Sequence, residues 1–203
     1  MKKLTLAFCI LTLGSSVVIA DNGDATTGKT KSVTCVPCHG ADGNSNINQI
    51  WPKLAGQHEN YLAKQLQDFK SKTRNEPTMA MMAAPLSDQD ILDLAAYFSS
   101  QTAKTTPVDS NLVERGERIY RGGNKEDDVP ACVACHSING KGNPMANYPT
   151  VGAQNAGYIV KQLTDYKNDV RNPEGAAAVM KDVAKNISAD DMKAVAAYIQ
   201  NMQ

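Results

Sequence analysis

The sequence predicts an all-α protein built as two tandem copies of one helical unit, and three observations predict it. The chain matches itself at a nearly fixed offset. Its apolar residues recur at helical spacing within each copy. Alternating runs rich in Val and Ile, which would mark strands, are missing.

Residues 1–20 read as a secretory leader cleaved after Ala20. Lys2 and Lys3 give the positive end, 4–13 form an apolar run too short to span a bilayer comfortably, and Val18-Ile19-Ala20 ends on small residues that a signal peptidase accepts. Bulky Phe8 argues against Cys9 as a lipid attachment site. Once Cys9 leaves with the leader, four of the five cysteines stay, in two pairs with no thiol left over, which suits an oxidising compartment. No later segment is long and apolar enough for a transmembrane helix, so the mature chain is expected to be soluble outside the cytoplasm.

The first folded unit is placed at 21–100. Its middle helix carries Leu62, Leu66 and Phe69 at i, i+4 and i+7, and its last helix opens at Ser87-x-x-Asp90, a capping box ahead of Ile91, Leu94, Ala95 and Phe98. A polar linker, 101–110, contains Thr105-Thr106-Pro107. The second unit, 111–203, starts with a helix over 111–121 in which Gly116 permits close approach of another helix. Ile159, Leu163 and Tyr166 repeat the middle stripe, and Ser188-x-x-Asp191 repeats the cap.

The self-match is extensive. At an offset of 97, Cys35, Cys38 and His39 fall on Cys132, Cys135 and His136, Pro52 on Pro149, Tyr61 on Tyr158, Lys64-Gln65-Leu66 on Lys161-Gln162-Leu163, and Arg74-Asn75 on Arg171-Asn172. The offset then becomes 101, pairing Ser87 with Ser188, Asp90 with Asp191, and Ala95-Ala96-Tyr97 with Ala196-Ala197-Tyr198. An insertion of four residues within 173–178 accounts for the change.

Composition narrows the function. Twenty-one Lys and Arg against 21 Asp and Glu are interspersed along the chain, which excludes the basic stripe of a nucleic-acid-binding protein. One Trp and three Phe are thin for two independent small cores, leaving room in each for a large apolar macrocycle.

Cys35-Val36-Pro37-Cys38-His39 and Cys132-Val133-Ala134-Cys135-His136 each have the spacing of covalent c-type haem attachment. Two thiols three residues apart reach the two vinyl groups on one haem edge, and the next imidazole then lies beneath the iron. A zinc site built from both pairs would have to close over 93 intervening residues and gives no reason for a histidine after each pair. A thioredoxin-like dithiol would want a βαβ pattern, which this chain lacks.

The sixth iron ligand separates a carrier from a catalyst, because an open position admits small molecules and a thioether closes it. The first unit offers Met79, Met81 and Met82; the second offers Met145, Met180, Met192 and Met202. The repeat selects Met79 and Met180, which coincide at the 101 offset, whereas Asp182 and Val183 stand opposite Met81 and Met82. The expected metal ligands are therefore His39 and Met79 in one unit, and His136 and Met180 in the other.

Supporting roles follow from position. Pro52 and Pro149 stand thirteen residues after their histidines, where the carbonyl either accepts the Nδ1 proton or the ring simply stiffens a turn. Trp51 and Tyr148 are placed to reach a haem propionate or to pack. His58 has Asn155 opposite it and reads as a solvent-facing side chain, and Tyr97 and Tyr198 read as packing between terminal helices.

With these residues in view, the chain resembles cytochrome c4, a family of dihaem class I cytochromes c of the bacterial periplasm. The resemblance spans nearly the whole mature chain and rests on Cys35-Val36-Pro37-Cys38-His39-Gly40, Pro52-Lys53-Leu54-Ala55-Gly56-Gln57, Tyr61-Leu62-Ala63-Lys64-Gln65-Leu66, Pro85-Leu86-Ser87-Asp88-Gln89-Asp90, Arg121-Gly122-Gly123 and Lys161-Gln162-Leu163-Thr164-Asp165. It implies two tandem cytochrome c-like domains related by a pseudo-twofold axis, each wrapped around one covalently bound haem c with His/Met-ligated iron. Their propionate edges are implied to approach across the interface. It also implies electron transfer toward a haem-copper terminal oxidase, in some members at the membrane surface as a peripheral association. The donor is expected to be a quinol-oxidising complex or another periplasmic redox protein. One departure is visible, Val151-Gly152-Ala153-Gln154 where the first unit has Leu54-Ala55-Gly56-Gln57.

The leading expectation is thus an electron carrier and not an enzyme, with no catalytic residue assigned. The alternative is a dihaem electron-accepting subunit of a periplasmic oxidoreductase, such as a flavocytochrome sulfide dehydrogenase. A dihaem peroxidase would need one accessible iron and a longer chain.

Overall fold

The first helix begins because Asp24 caps it, its carboxylate accepting from the backbone N–H groups of Thr26 and Thr27 at 2.7 and 2.9 Å. The computed structural model describes residues 22–45, 47–108 and 110–202, so the leader, its cleavage site and Cys9 lie outside the described residues. Among the described residues five α-helices form the first unit: α1 (Ala25–Lys31), α2 (Val36–His39), α3 (Glu59–Lys70), α4 (Pro77–Ala83) and α5 (Asp88–Ser99). Five more form the second: α6 (Ser110–Gly122), α7 (Val133–His136), α8 (Ala156–Lys167), α9 (Val179–Asn186) and α10 (Ala189–Asn201). Among the described residues no strand forms, and the two isolated bridges, Asn124 with Val129 and Asn143 with Tyr148, each close a tight loop.

The packing repeats with the sequence. α1 lies on α5 and α6 on α10, while α3 and α8 pack on the same terminal helices and carry α4 and α9 on their other sides. Leu62, Ala63, Ile91, Leu94, Tyr97 and Phe98 form one core; Ile119, Tyr120, Ile159, Met192, Val195 and Ile199 lie in the other. The half-buried Cys35 and Cys132 pack against these cores, so each motif is seated on its unit's apolar centre.

A glycine sets each helix crossing. Gly28 lies against the Asp93 carbonyl and Gly116 against the Ala194 carbonyl, so close that a Cβ at either would overlap the main chain opposite. The Lys31 ammonium joins Asp90 and Asp93 at 2.5 and 2.7 Å and fastens α1 to α5. In the second unit Arg115 reaches Asp191, which also accepts from Asn124 Nδ2.

That difference decides the caps. Ser87 and Asp90 form a complete capping box, but at Ser188 only the half running from the Asp191 N–H to Ser188 Oγ forms, because the Asp191 carboxylate is engaged by Arg115 and Asn124. The inserted segment forms a short 3-10 turn, Gly175–Ala178, ahead of α9.

The departing loop keeps its geometry. Gly56 (φ +68°) and Ala153 (φ +61°) both adopt left-handed backbone, and their N–H groups donate to the Phe98 and Ile199 carbonyls at 3.0 and 2.9 Å. Alanine pays about 1–2 kcal/mol for that conformation. The loop holds because Val151 and Gly152 donate to Gly140 O as Leu54 and Ala55 donate to Gly43 O.

The Gly116→Ala variant should lose about 1–3 kcal/mol of stability through overpacking, although alanine exceeds glycine in helix propensity by about 1 kcal/mol. Urea unfolding of the holoprotein followed by far-ultraviolet circular dichroism checks this; an unchanged midpoint would show that the crossing relaxes without cost.

Candidate haem sites and the junction between the two units

Each attachment motif folds as one helical turn that presents its histidine inward. In α2 the His39 N–H donates to Cys35 O at 2.9 Å, and in α7 the His136 N–H donates to Cys132 O at 3.0 Å. Pairing the two cysteines of a motif with the following histidine on one turn puts all three side chains at one edge of the core. Cys35, Cys38, Cys132 and Cys135 are each half-buried.

The proline carbonyls are the partners of the histidines. His39 Nδ1 donates to Pro52 O at 2.8 Å and His136 Nδ1 to Pro149 O at 3.0 Å. Of the two roles open for these prolines, acceptance of the Nδ1 proton is therefore the one seen, and it leaves Nε2 as the lone-pair nitrogen. Both rings are buried. Burial pushes both imidazoles below their ordinary titration range, and the proline carbonyls offset this only in part. A neutral imidazole with a fixed tautomer is what iron ligation requires.

The thiols point the same way. Burial raises Cys35, and it pushes Cys132 up to about 11. Redox-active Cys-x-x-Cys pairs depend on a lowered thiol. The raised Cys35 and Cys132 thiols do not meet that requirement.

The methionines divide by environment. Met81, Met82 and Met145 are exposed, Met192 and Met202 are in the second core, and Met79 and Met180 are half-buried near the starts of α4 and α9. Pro77 begins α4, and Glu76 caps it by accepting from the Met79 N–H at 2.7 Å. In each unit the paired thiols beside an oriented imidazole fit covalent attachment of a haem.

The two units meet through equivalent residues. Arg74 donates to Gln65 Oε1, Tyr158 OH and Gln162 Oε1 at 2.6, 2.9 and 2.8 Å. Arg171 donates to Gln162 Oε1, Tyr61 OH and Gln65 Oε1 at 2.7, 3.0 and 3.0 Å. Each guanidinium also covers a ring of its own unit, Phe69 or Tyr166, 4.6 or 4.7 Å from the centroid. Burial pushes the Tyr158 phenol up, but Arg74 and Arg171 outweigh it and hold the phenol below its usual range. Burial works against the Arg171 charge, yet Tyr61, Tyr166 and Tyr158 raise its pKa overall.

A second set of contacts reaches the proline loops. Gln57 exchanges two hydrogen bonds with the backbone of Thr150, and Gln154 does the same with Lys53. Asn155 Nδ2 donates to the Ser45 and Trp51 carbonyls at 3.0 and 2.8 Å. His58 is not solvent-facing. It is half-buried at this junction, with Nε2 3.5 Å from Thr150 Oγ1, because its position in the repeat places it against the partner loop.

Two stretches of the chain, 25–102 and 113–203, each match the Cytochrome c family. Over 202 residues it is 43% identical to cytochrome c4 of Pseudomonas aeruginosa, covering all of both chains. This chain belongs to the cytochrome c4 family. It carries two covalent haem c groups and serves as a dihaem class I electron carrier. The crystal structure of reduced recombinant cytochrome c4 from Pseudomonas stutzeri matches 89% of the chain and all of its own, with a TM-score of 0.84 at 44% identity. A more distant relative, the thiosulfate dehydrogenase electron acceptor of Thiomonas intermedia, is 34% identical over 172 residues, 83% of this chain and 78% of its own.

The Arg171→Met variant removes two bonds that cross the junction and should lower the unfolding free energy by about 2 kcal/mol, given the worth of hydrogen bonds to charged groups at a half-buried site. It should also raise the Tyr158 titration, since a positive charge beside that phenol is lost. Urea unfolding and ultraviolet pH titration against a Tyr158→Phe control read the two effects.

Proposed function

We propose that this cytochrome acts in the periplasm, exported by its leader and cleaved after Ala20, as two units over 21–100 and 111–203 joined by 101–110. Cys35 and Cys38 hold one haem and Cys132 and Cys135 the other; His39 with Met79 and His136 with Met180 are the iron ligands. It passes electrons toward a haem-copper terminal oxidase and receives them from a quinol-oxidising complex or another periplasmic redox protein, with peripheral association at the membrane. Among the described residues no helix is long and apolar enough to cross a membrane.

The observation carrying this reading is the fixed imidazole in each unit, buried, neutral and donating through Nδ1 to a proline carbonyl. When bound, each haem supplies a one-electron iron couple. The chain does the rest. The proline carbonyls hold the imidazoles in one tautomer and one orientation, so a change of iron valence meets a ligand already in place. Thioether coordination favours the reduced iron and shuts out external ligands. Holding both units at one junction fixes the path between the two centres.

A second reading, that the chain is the electron-accepting subunit of a periplasmic oxidoreductase, is favoured by its similarity to the thiosulfate dehydrogenase electron acceptor of Thiomonas intermedia. Recovery of a stable stoichiometric complex with a dehydrogenase would select it over the free carrier.

Mass spectrometry of the exported protein should show two haem adducts on a chain beginning at Asp21. Ferrous wild-type protein should bind carbon monoxide poorly at both centres. The Met180→Ala variant should bind it at the second haem alone, and Met79→Ala at the first. Ready binding by the unmutated protein at both haems would end the His/Met assignment.

A further inference from the structure

We infer that each unit positions the iron-ligating histidine of the other: Gln57 acts on His136 through the Pro149–Thr150 peptide, and Gln154 acts on His39 through the Pro52–Lys53 peptide. The inference rests on the assignment of His39 and His136 as ligands and goes beyond it by naming what tunes them.

The geometry turns on a single peptide group in each unit. Pro52 O, which accepts from His39 Nδ1 at 2.8 Å, belongs to the same peptide plane as the Lys53 N–H, which donates to Gln154 Oε1 at 2.7 Å. In the other unit Pro149 O accepts from His136 Nδ1 at 3.0 Å, and the Thr150 N–H of that peptide donates to Gln57 Oε1 at 2.9 Å. Each histidine is thus one peptide away from a glutamine of the opposite unit. Hydrogen bonds at the two ends of a peptide polarise one another, strengthening each by about 10–30%. An acceptor at the N–H end makes the carbonyl more negative, tightens its hold on Nδ1 and raises the basicity of the imidazole toward iron.

The glutamines are built for this. Gln57 and Gln154 are both buried. Each closes a two-bond clamp by donating from Nε2 to the partner backbone carbonyl, Thr150 O at 2.8 Å or Lys53 O at 2.9 Å. Each oxygen also accepts the N–H of its own following residue, His58 at 3.0 Å or Asn155 at 2.9 Å, which fixes its direction. Asn155 adds a bond to Trp51 O on the other side of Pro52, so the first unit's loop is held from both flanks. A proline has no N–H, so its carbonyl is its one backbone hydrogen-bonding group.

A contact serving only to glue the units would disturb both centres, or the one nearest in sequence. A positioning contact acts crosswise. The test uses the full-length holoprotein with Gln57→Met and Gln154→Met, which keep volume and remove the hydrogen bonds. Redox titration is followed by hyperfine-shifted NMR, so that each haem is read through its own axial-methionine resonances.

Gln57→Met should raise the potential of the haem on Cys132 and Cys135 and leave the other in place; Gln154→Met should do the reverse. The expected size is about threefold in the reduction equilibrium, about 28 mV at 59 mV per tenfold for one electron. The matching histidine Nδ1 proton should exchange faster with solvent. Gln57→Glu keeps the acceptor, so slow exchange at His136 should persist, and this variant carries the test if the methionine variant does not fold. A shift at the haem of the mutated unit, equal shifts at both, no shift, or fast His136 exchange in Gln57→Glu would overturn the inference. Absence of axial-methionine resonances from the unmutated protein would instead overturn the ligand assignment beneath it.

Discussion

The bond from each histidine Nδ1 to a proline carbonyl is the constraint on which the rest of the structure depends. A Cys-x-x-Cys-His turn fixes where the imidazole starts but not how it faces, since χ1 and χ2 stay free. The proline loop supplies the missing restraint. In the first unit that loop is itself held by Leu54 and Ala55 donating to Gly43 and by Gly56 donating to the end of α5. The same pattern recurs in the second unit around Gly140 and Ile199. The imidazole's orientation is therefore tied to the terminal helix of its own unit.

The junction shows what a duplicated unit gains when its copies face each other. In a contact of twofold type, when a residue of one copy meets a second residue in the other, their equivalents meet in turn, so one favourable arrangement is used twice. Arg74 and Arg171 do this with Tyr158, Tyr61 and both glutamines of α3 and α8. The hydrogen-bond acceptors around both guanidinium groups are neutral oxygens, and the positive field they leave lowers the Tyr158 phenol. The symmetry is broken where the copies differ. Asn155 reaches two carbonyls of the opposite loop, while His58, in the same place, meets only a hydroxyl at 3.5 Å.

Much of this was legible in the sequence, and the parts that were not fall into two kinds. The Leu62, Leu66, Phe69 stripe and its counterpart place α3 and α8, and Gly116 marks a helix crossing, because period and residue size act locally. The thirteen-residue spacing from histidine to proline was readable for the same reason. α1 is only seven residues long and its apolar face is mostly glycine and small residues, so no stripe announced it, although Asp24 ahead of two threonines was a usable cap signal. α4 had Glu76-Pro77 as its own start signal. The crosswise roles of Gln57 and Gln154 are of another kind. Both glutamines were visible as repeat partners, but nothing in one sequence says that an amide leaves its own unit to bind the other.

Comparison of the copies nevertheless holds a trace of that arrangement. Several positions facing each unit's own core drift within a type, as in Leu62 and Ile159, Phe69 and Tyr166, Phe98 and Ile199, since a core asks mainly for apolar volume. Four pairs at the junction are identical, Gln57 and Gln154, Tyr61 and Tyr158, Gln65 and Gln162, Arg74 and Arg171, while His58 and Asn155 differ. A hydrogen bond asks for a particular atom at a particular distance, and a contact of twofold type asks for it in both copies together. A change in one copy alone would leave a polar group without its partner on the other side. Identity at these four pairs is what a twofold contact demands, whereas identity at Leu66 and Leu163 or Tyr97 and Tyr198 serves each copy's own core, and the junction is where the two haem units are bound to act as one molecule.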